Sequence, residues 1–343
     1  MAQKELTLIF TTSPAPTAPS TELLASCISS FHKHCPELLR CRVIVVFDAY
    51  DYIAAASRLK RGRVTHELAE NYPAYKENVK QLFLHEFIHQ SDDVVIHNEA
   101  QAEYGSPGQA ENVVKLHASC THGQELTFIE SERRLGFGLA VRSALRLTRT
   151  KYVWVHQHDW TLVADIPIND ILLRMEESEA DPLSPPVKSI CLPSVRMLEY
   201  AKQEHVKQFP RLKELSDSLM SISITRSSMS ESVPLTPMFY WHDKPHIALT
   251  SHYLTRIFPS PLSIPRGAFI EDTVGQSARD QMKNGDWQKW ATWLYYPDEG
   301  RKLCLRHLDG RTWTGQKGQL QKAADWKAQN AQRATVTDDI IEH

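Results

Sequence analysis

The chain has 343 residues, enough to bury a full hydrophobic core, and this length predicts one large domain or one domain with insertions. Charged residues make up 23% of the chain and the formal net charge is −2, so no strong overall field favours nucleic acid or an anionic membrane surface. No stretch approaches the roughly 20 apolar residues that a membrane helix needs. The first residues contain too short an apolar run for a signal peptide. We therefore expect a soluble, cytoplasmic protein without a membrane span that does not bind nucleic acid.

The six cysteines are scattered along the chain, without the paired spacing of a zinc site or of a disulfide framework. His32, His34, Cys35 and Cys41 lie close together in the sequence, but they lack that spacing as well. The cysteines therefore favour neither a structural zinc nor a disulfide-stabilised fold.

The first 50 residues have the pattern of a βαβ unit. An apolar run at 6–11 is followed by a proline-rich loop and then by apolar residues at helical spacing, which end at Pro36. The run Val43–Phe47 is apolar throughout, as in a buried strand, and Asp48 follows its carboxyl end. Strand, helix and strand in about 45 residues predict two parallel strands in one sheet.

The pattern changes between residues 52 and 122, where charges and aromatic side chains alternate and residues 76–88 have a helical pattern. We interpret this segment as an inserted helical lid or an elaborated crossover. Its basic cluster at 58–63 is typical of a solvated face. A strand is predicted at 126–129, and a helix with small residues in its first turns follows it.

The most informative feature is a strand that ends abruptly in polar residues. Tyr152–Val155 are β-branched or aromatic in a run too short for a helix, and His156, Gln157, His158 and Asp159 follow. In open α/β sheets, ligands bind beyond the carboxyl ends of the strands. An oxygen ligand there can hold a divalent cation against a diphosphate. The alternative is a strand whose polar end simply reaches water.

The second half of the chain is less regular. Strands are predicted at 189–192 and 221–224, with a charged helical segment between them. Glu271 and Asp272 are adjacent acids at a predicted helix start, where the helix dipole also favours acids as capping charges. A late strand ends at His307.

The order of these features resembles that of nucleotide-sugar glycosyltransferases with the GT-A fold, nearest the family 2-like inverting enzymes. Asp48 follows the second strand, a helix rich in glycine and alanine precedes the strand that ends at Asp159, and the acidic pair and His307 come later. The resemblance covers roughly residues 5–310. It implies an α/β fold with a mostly parallel central sheet flanked by helices, together with a helical insertion.

The resemblance also implies a domain organisation. A single GT-A-like catalytic domain would occupy residues 1–315, and a polar C-terminal tail would follow at 316–343. The parts of the domain would be the nucleotide-binding part at 5–51 and 125–165, the helical insertion at 52–122 and the acceptor part at 185–310.

Residue by residue, the resemblance implies a donor site for a UDP-sugar. Asp48 would accept a hydrogen bond from the uracil ring, and two arginines would lie near the nucleotide or the diphosphate. The donor site would consist of Thr11, Thr12, Pro14, Asp48, Arg134, Arg142 and Gln157. Asp159 would bind Mn²⁺ or Mg²⁺ across the diphosphate, with His158 and His307 as further ligands.

The resemblance further implies that Asp272, in the acidic pair with Glu271, is the general base that deprotonates the acceptor hydroxyl in an inverting transfer. Aromatic faces stack on sugar rings and on apolar metabolites. The aromatic segment around 239–249 is therefore a candidate acceptor site, although an amphipathic strand packed on the core would have the same pattern. The candidate acceptor residues are Trp241, His242, Asp243 and His246.

The sequence departs from the family where its Asp-x-Asp motif is replaced by Gln157, His158 and Asp159, so that the first acid is missing. Imidazole accepts first-row ions such as Mn²⁺, whereas oxygen ligands suit Mg²⁺ better. Three functions remain open: an active glycosyltransferase, another transferase that uses a nucleotide diphosphate, or a degenerate fold that serves as a binding or scaffold protein. The second would need a glycine-rich phosphate loop, which Ser13–Pro16 does not provide. The donor sugar and the acceptor, whether a small molecule, a glycan or a protein, are not identified by any motif.

Overall fold

A computed structural model gives the fold and describes residues 2–88, 96–225, 233–322 and 324–325. The strands are β1 (Leu6–Thr12), β2 (Arg42–Phe47), β3 (Tyr52–Ile53), β4 (Arg63–Val64), β5 (Ile96–Glu103), β6 (Val113–Cys120), β7 (Leu126–Ser131), β8 (Tyr152–Gln157), β9 (Trp160–Leu162), β10 (Ser189–Cys191), β11 (Leu235–Pro237), β12 (His246–Leu249), β13 (Thr292–Tyr295) and β14 (Leu305–His307). The helices are α1 (Ala2–Glu5), α2 (Glu22–His34), α3 (His66–Phe87), α4 (Phe137–Leu147), α5 (Ile168–Ala180), α6 (Glu204–Lys207), α7 (Pro210–Thr225), α8 (Thr250–His252), α9 (Ile270–Gln281) and α10 (Trp287–Trp290). Within these ranges, no helix is both long and apolar enough to cross a membrane.

The largest sheet contains ten of the described strands, in the order β11-β13-β10-β12-β8-β1-β2-β7-β6-β5. Its centre consists of the parallel neighbours β8, β1, β2 and β7. The pairings between neighbouring strands give the direction of each strand in this sheet. Seven strands run in one direction, and β6, β11 and β12 run in the opposite direction. Helix α3 contacts β7, and α4 contacts β1 and β2. The predicted α/β fold with a mostly parallel sheet flanked by helices is therefore confirmed.

The central strands have the sequences that strands covered on both faces require. β1 is buried along its whole length and β2 from its second residue onward, as their continuous apolar runs predict. Thr12 pairs with Phe47, and Thr11 pairs with Gln157 on the other side. The carboxyl ends of β1, β2 and β8 therefore lie together at one edge of the sheet, and the polar residues that follow these strands meet there.

The segment at 52–122 is only partly helical. It contains the long helix α3, as predicted, but also β5 and β6, which pair with each other and extend the sheet beyond β7. The buried residues of β6 alternate, as in a strand with one covered face, whereas β5 is a mostly exposed edge strand in which Ala102 is the buried residue. A polar edge strand of this kind has no apolar run to mark it in the sequence.

The strand predicted at 221–224 is wrong, because these residues belong to α7. Leu212, Ser216 and Leu219 are buried at intervals of four and three residues, the spacing of one helix face. The polar tail predicted at 316–343 is helical over 316–322, and its residues after 325 lie outside the described part of the chain.

Gly136, just before α4, permits a close approach between two backbone segments. Its φ is +79°, and a Cβ built on it would lie 2.4 Å from the Cα of Gly267. Gly136→Ala would strain the backbone and force the two segments apart, so we expect it to lower the free energy of unfolding by about 3 kcal/mol or more. Denaturant titration measures this change.

The matched control is Gly108→Ala. Gly108 has a similar φ of +87°, but a Cβ built on it meets nothing within 4 Å. This variant should lose only about 1 kcal/mol, the cost of the backbone strain alone. Equal losses in the two variants would contradict the role assigned to the close approach of Gly136 and Gly267.

Candidate functional site

Two adjoining cavities open at the edge of the sheet where β1, β2 and β8 end. The smaller, which we call the inner cleft, has a volume of about 100 Å³ and lies over the ends of β1 and β2. The larger, the outer cavity, has a volume of about 790 Å³ and reaches to α9. The residues that line both are Lys60, Gln157, Asp159, Phe269 and Arg311. A ligand in the inner cleft can therefore extend past Asp159 into the outer cavity.

Most of the predicted donor residues are brought together in the inner cleft. Those that line it are Thr11, Thr12, Pro14, Asp48, Arg134 and Gln157. Arg142 lines neither cavity, because it lies on the buried face of α4 and its Nη1 donates to the carbonyl of Ser260 at 3.3 Å. Burial lowers the pKa of Arg142 to about 10. Arg142 therefore lies apart from the cleft in which the other predicted donor residues meet.

Asp48 fastens the loop that leads into α4. Its Oδ1 accepts a hydrogen bond from the N–H of Leu135 at 2.5 Å, and its Oδ2 accepts one from the N–H of Gly136 at 3.0 Å. Burial raises the pKa of Asp48 to about 6, although these two N–H groups oppose the shift. Asp48 therefore presents to the inner cleft a carboxyl group whose charge changes just below neutral pH.

Arg134 connects three segments that surround the inner cleft. Its Nη2 donates to the carbonyls of Lys60 and Gly267 at 2.9 and 3.2 Å, and its Nη1 lies 3.7 Å from Oδ2 of Asp51. Arg266 also pairs with Asp51, at 2.5 Å. The main contacts of Arg134 are thus within the protein, and they hold the wall of the cleft in place.

Asp159 lies where the two cavities meet, and its two carboxylate oxygens differ. Oδ2 accepts a hydrogen bond from the N–H of Gly310 at 3.3 Å and lies 3.1 Å from Nε2 of His307. Oδ1 is buried and has no hydrogen-bond partner among the described residues. Burial by itself would raise the pKa of Asp159, but the hydrogen bond and charge of His307, with the hydrogen bond from Gly310, outweigh it and lower the pKa to about 2. Asp159 is therefore an ionised carboxylate with one buried oxygen that lacks a hydrogen-bond partner among the described residues.

The two histidines next to Asp159 have different surroundings. Nδ1 of His158 lies 2.9 Å from Oγ1 of Thr12, and burial lowers the pKa of His158, so its ring is neutral. His307 lies between two acids, with Nε2 at Asp159 and Nδ1 2.8 Å from Oδ1 of Asp309. Burial alone would lower the pKa of His307, but the hydrogen bonds and charges of these acids raise it. His307 thus favours the protonated form, which donates hydrogen bonds from both nitrogens.

The fit of this site to a metal depends on how many ligands the protein must supply. The described residues contain no group of three or more His, Cys, Asp or Glu side chains placed to hold a metal ion. His307 directs both nitrogens at acids, so it offers no free lone pair in this arrangement. A cation that takes its other ligands from substrate phosphates and water needs only one or two protein carboxylates. The unpartnered Oδ1 of Asp159 fits a site of that kind.

The predicted acidic pair lies in the first turn of α9, on the wall of the outer cavity. Glu271 is held by two neighbours. Its N–H donates a hydrogen bond to Oδ2 of Asp243 at 3.2 Å, and its Oε2 accepts one from the N–H of Asp243 at 3.3 Å. Oε2 of Glu271 also lies 3.6 Å from Nδ1 of His242. The carboxylate of Asp272 is exposed and makes no hydrogen bond or ion pair with any described residue. Asp272 is thus the member of the pair that is free to meet a ligand.

Of the predicted acceptor residues, His242 and Asp243 line the outer cavity, but Trp241 and His246 do not. Trp241 is only 1% exposed, and its ring packs edge-on against His246 and Tyr253. Nε2 of His246 lies 2.6 Å from Oη of Tyr253. Both Trp241 and His246 belong to the core: Trp241 is buried in the segment before β12, and His246 is the first residue of β12, which lies inside the sheet and is buried along its whole length.

Much of the wall of the outer cavity comes from residues that no sequence motif marks. One side of this wall comes from residues 196–212, a segment without a decisive motif, through Arg196, Met197, Tyr200, Gln203, Phe209 and Leu212. Lys60, which lines both cavities, belongs to the basic cluster at 58–63 that we had interpreted as a solvated face. Lys60 is exposed, as that interpretation expects, and it also borders both cavities.

The fold of this chain is similar to those of solved glycosyltransferases. One is the mannosyltransferase PcManGT from Pyrobaculum calidifontis in complex with GDP-Man and Mn²⁺, with 14% identity and a TM-score of 0.37 over 87% of this chain and 59% of that one. Another is TarS from S. aureus, with 10% identity and a TM-score of 0.41 over 88% of this chain and 36% of that one. A third is TarS in complex with UDP-GlcNAc, with 9% identity and a TM-score of 0.41 over 90% of this chain and 60% of that one.

This chain spans less than two thirds of the length of each of these proteins. No protein-family model matches it, and a comparison with curated proteins gives no match.

Proposed function

We propose that this protein is a glycosyltransferase that moves a sugar from a UDP-sugar to an acceptor hydroxyl, with inversion at the anomeric carbon. The observation that supports this most is the junction of the two cavities at Asp159, with the free carboxylate of Asp272 on the wall of the outer cavity. The nucleotide would occupy the inner cleft and the acceptor the outer cavity. The diphosphate and the sugar would then lie at the residues that the two cavities share.

The chemistry of the shared residues suits a diphosphate. Lys60 and Arg311 line both cavities and supply positive charge there, and charge-assisted hydrogen bonds to phosphate oxygens are among the stronger polar contacts. The acids beside His307 raise its pKa, and its protonated ring would add a third positive charge next to Asp159. Asp48, in the inner cleft, would accept a hydrogen bond from the N–H of the uracil ring.

Asp159 would hold a divalent cation, Mn²⁺ or Mg²⁺, through its unpartnered Oδ1. When bound, the cation would neutralise the negative charge that develops on the departing diphosphate. His158 and His307 would border this position. Of the two, His158 has the neutral ring, whereas His307 would have to give up a hydrogen bond to become a ligand.

In the transfer itself, Asp272 would take the proton from the acceptor hydroxyl. The acceptor oxygen then forms a bond to the anomeric carbon on the face opposite the diphosphate, and the bond between that carbon and the diphosphate oxygen breaks. A single displacement of this kind inverts the configuration. Glu271, held by Asp243 and His242, would keep the start of α9 in position while Asp272 acts.

Transfer can be tested by measuring the release of UDP from UDP-glucose and UDP-GlcNAc in the presence of a panel of hydroxyl-bearing acceptors. Release that depends on an acceptor, together with a glycosylated product seen by mass spectrometry, would support the proposal. UDP binding without acceptor-dependent release across donors and acceptors would favour the alternative, a degenerate fold that binds sugar nucleotides. The replacement of the first acid of the motif by Gln157 is the observation that favours this alternative.

Asp48 gives donor binding a predicted dependence on pH. Its pKa of about 6 means that the carboxyl group is charged above this pH and protonated below it. We expect the affinity for uridine to fall as the pH is lowered from 7.5 to 5, since a protonated carboxyl group is a weaker hydrogen-bond acceptor. Uridine is the suitable probe because it has no phosphate that titrates over this range.

The control for this experiment is Asp48→Asn, checked for an unchanged circular dichroism spectrum. Its affinity for uridine should be lower than that of the wild type at pH 7.5 and should not change with pH. An affinity of the wild type that is the same at pH 5 and pH 7.5 would remove Asp48 from the contacts with the base.

A further inference from the structure

The outer cavity extends well beyond the residues that it shares with the inner cleft. Its far wall combines the segment at 196–212 with the end of α9 and the turn that follows, which carry Arg279 and Lys283. No residue of this far wall lines the inner cleft. The part of the outer cavity away from Asp159 is therefore space for the acceptor rather than for the donor.

The lining of this far part is apolar at its base. Four almost fully buried residues line it, with exposed fractions of 2%, 3%, 2% and 3%: Met197, Tyr200, Leu212 and Phe239. Phe209 joins them and is partly exposed. An apolar body suits this lining better than a polar one, because a polar group buried there without a hydrogen-bond partner would cost free energy.

The rim of this apolar region carries unpaired positive charge. Nζ of Lys283 lies 4.3 Å from the centroid of the Phe209 ring, and neither Lys283 nor Arg196 forms an ion pair within the described ranges. Four other cations in or next to these segments do have acidic partners three or four residues away. These pairs are Lys202 with Glu199, Lys207 with Glu204, Lys213 with Asp217 and Lys289 with Asp286. Among the cations of these two segments that line the cavity, Lys283 and Arg196 thus have no acidic partner within the described ranges, whereas Arg279 lies 3.7 Å from Asp280.

The sequence spacing along α9 sets the distance between the proposed base and these cations. Asp272, Arg279 and Lys283 follow one another at intervals of seven and four residues, which places them on one face of the helix and its continuation. At about 1.5 Å of rise per residue, Arg279 lies about 10 Å and Lys283 about 16 Å from Asp272 along the axis. All three line the outer cavity.

We propose that the acceptor is an elongated small molecule with a hydroxyl at one end, an apolar body and an anionic group, carboxylate or phosphate, about 16 Å from the hydroxyl. The hydroxyl lies at Asp272, the body lies on Met197, Phe209 and Leu212, and the anion lies at Arg196 and Lys283. This inference rests on the proposed function, because it places the reacting hydroxyl at the proposed base.

The test uses 12-hydroxydodecanoate, which has a terminal hydroxyl, an apolar chain and a carboxylate at a suitable distance. Its uncharged amide and 12-hydroxydodecyl phosphate are the companion probes, and calorimetry measures binding to the full chain. We expect the amide to bind at least about tenfold more weakly than the carboxylate. Tighter binding of the phosphate than of the carboxylate would identify the anion as a phosphate, and the reverse order would identify it as a carboxylate.

Variants of the two cations show whether a loss of binding comes from the lost charge or from a disturbed fold. Lys283→Gln and Arg196→Gln should each weaken binding of the carboxylate about tenfold and leave binding of the amide unchanged. Lys289→Gln is the matched control, since Lys289 is paired with Asp286 and does not line the cavity. It should bind all probes as the wild type does.

Two results would overturn the inference. One is equal affinity of the carboxylate, the phosphate and the amide, which would show that the cations do not select the acceptor. The other is binding of UDP without binding of any of the three probes, which would leave the donor site intact and exclude this class of acceptor. Absence of UDP binding would instead overturn the proposed function itself, so the two failures are distinguishable.

Discussion

Asp272→Asn is expected to lower the rate of sugar transfer by about 10²- to 10⁴-fold, the usual contribution of a general base. The carboxylate of Asp272 faces the outer cavity, is exposed and has no partner within the described residues, so an amide of the same size removes its basicity without disturbing packing. Donor binding should remain nearly unchanged, since Asp272 does not line the inner cleft. Steady-state turnover and calorimetric titration of UDP measure the two effects separately.

The control for Asp272 is Asp280→Asn. Asp280 is an exposed acid on the same helix that does not line the cavity, and its loss should leave turnover near that of the wild type. Near-normal turnover in Asp272→Asn would remove Asp272 from the mechanism. The base would then have to be sought among the other acids on the cavity wall, Glu271 and Asp243.

Asp159→Asn is expected to abolish the metal-dependent part of donor binding and to lower turnover by at least about 100-fold, because a bound cation contributes several kcal/mol of charge stabilisation in the transition state. Among the described residues that line both cavities, Asp159 is the only acid. Its Oδ1 is also the oxygen that no other group occupies. An amide can replace its contacts with Gly310 but cannot supply the negative charge that holds a divalent ion.

The experiment compares titrations of UDP with and without Mn²⁺ for the wild type and for Asp159→Asn. Asp309→Asn serves as the control, since Asp309 is the other acid bonded to His307 but does not line the inner cleft. It should retain the response to Mn²⁺. If Asp159→Asn responds to Mn²⁺ as strongly as the wild type, the proposed metal position is wrong.

The fold was predictable where a strand is buried on both faces. β1, β2 and β8 are continuous apolar runs followed at once by polar residues, and their parallel arrangement follows from the helix between the first two. β5 was not predictable in this way, because it is a polar strand at the edge of the sheet that depends on its pairing with β6. The register between distant strands also comes only from the folded structure.

The candidate site was predictable where it follows the ends of strands. Asp48 and Asp159 come directly after β2 and β8, and the parallel sheet brings them to one edge. Trp241 and His246 were placed in the acceptor site because the sequence shows their aromatic rings without showing that both rings are buried in the core. Arg196 was not predicted as a site residue, because the cavity that it lines is formed by segments far apart in the sequence.

The most direct test of the central claim, that the inner cleft binds the nucleotide of a sugar donor, is calorimetric titration of the wild-type chain with UDP and with common UDP-sugars in the presence of Mn²⁺. If the inner cleft is the donor site, we expect saturable binding, with a dissociation constant below about 1 mM and with competition between UDP and the UDP-sugars. If none of these nucleotides binds, with or without Mn²⁺, the inner cleft is not a site for a nucleotide-sugar donor and the proposed function is wrong.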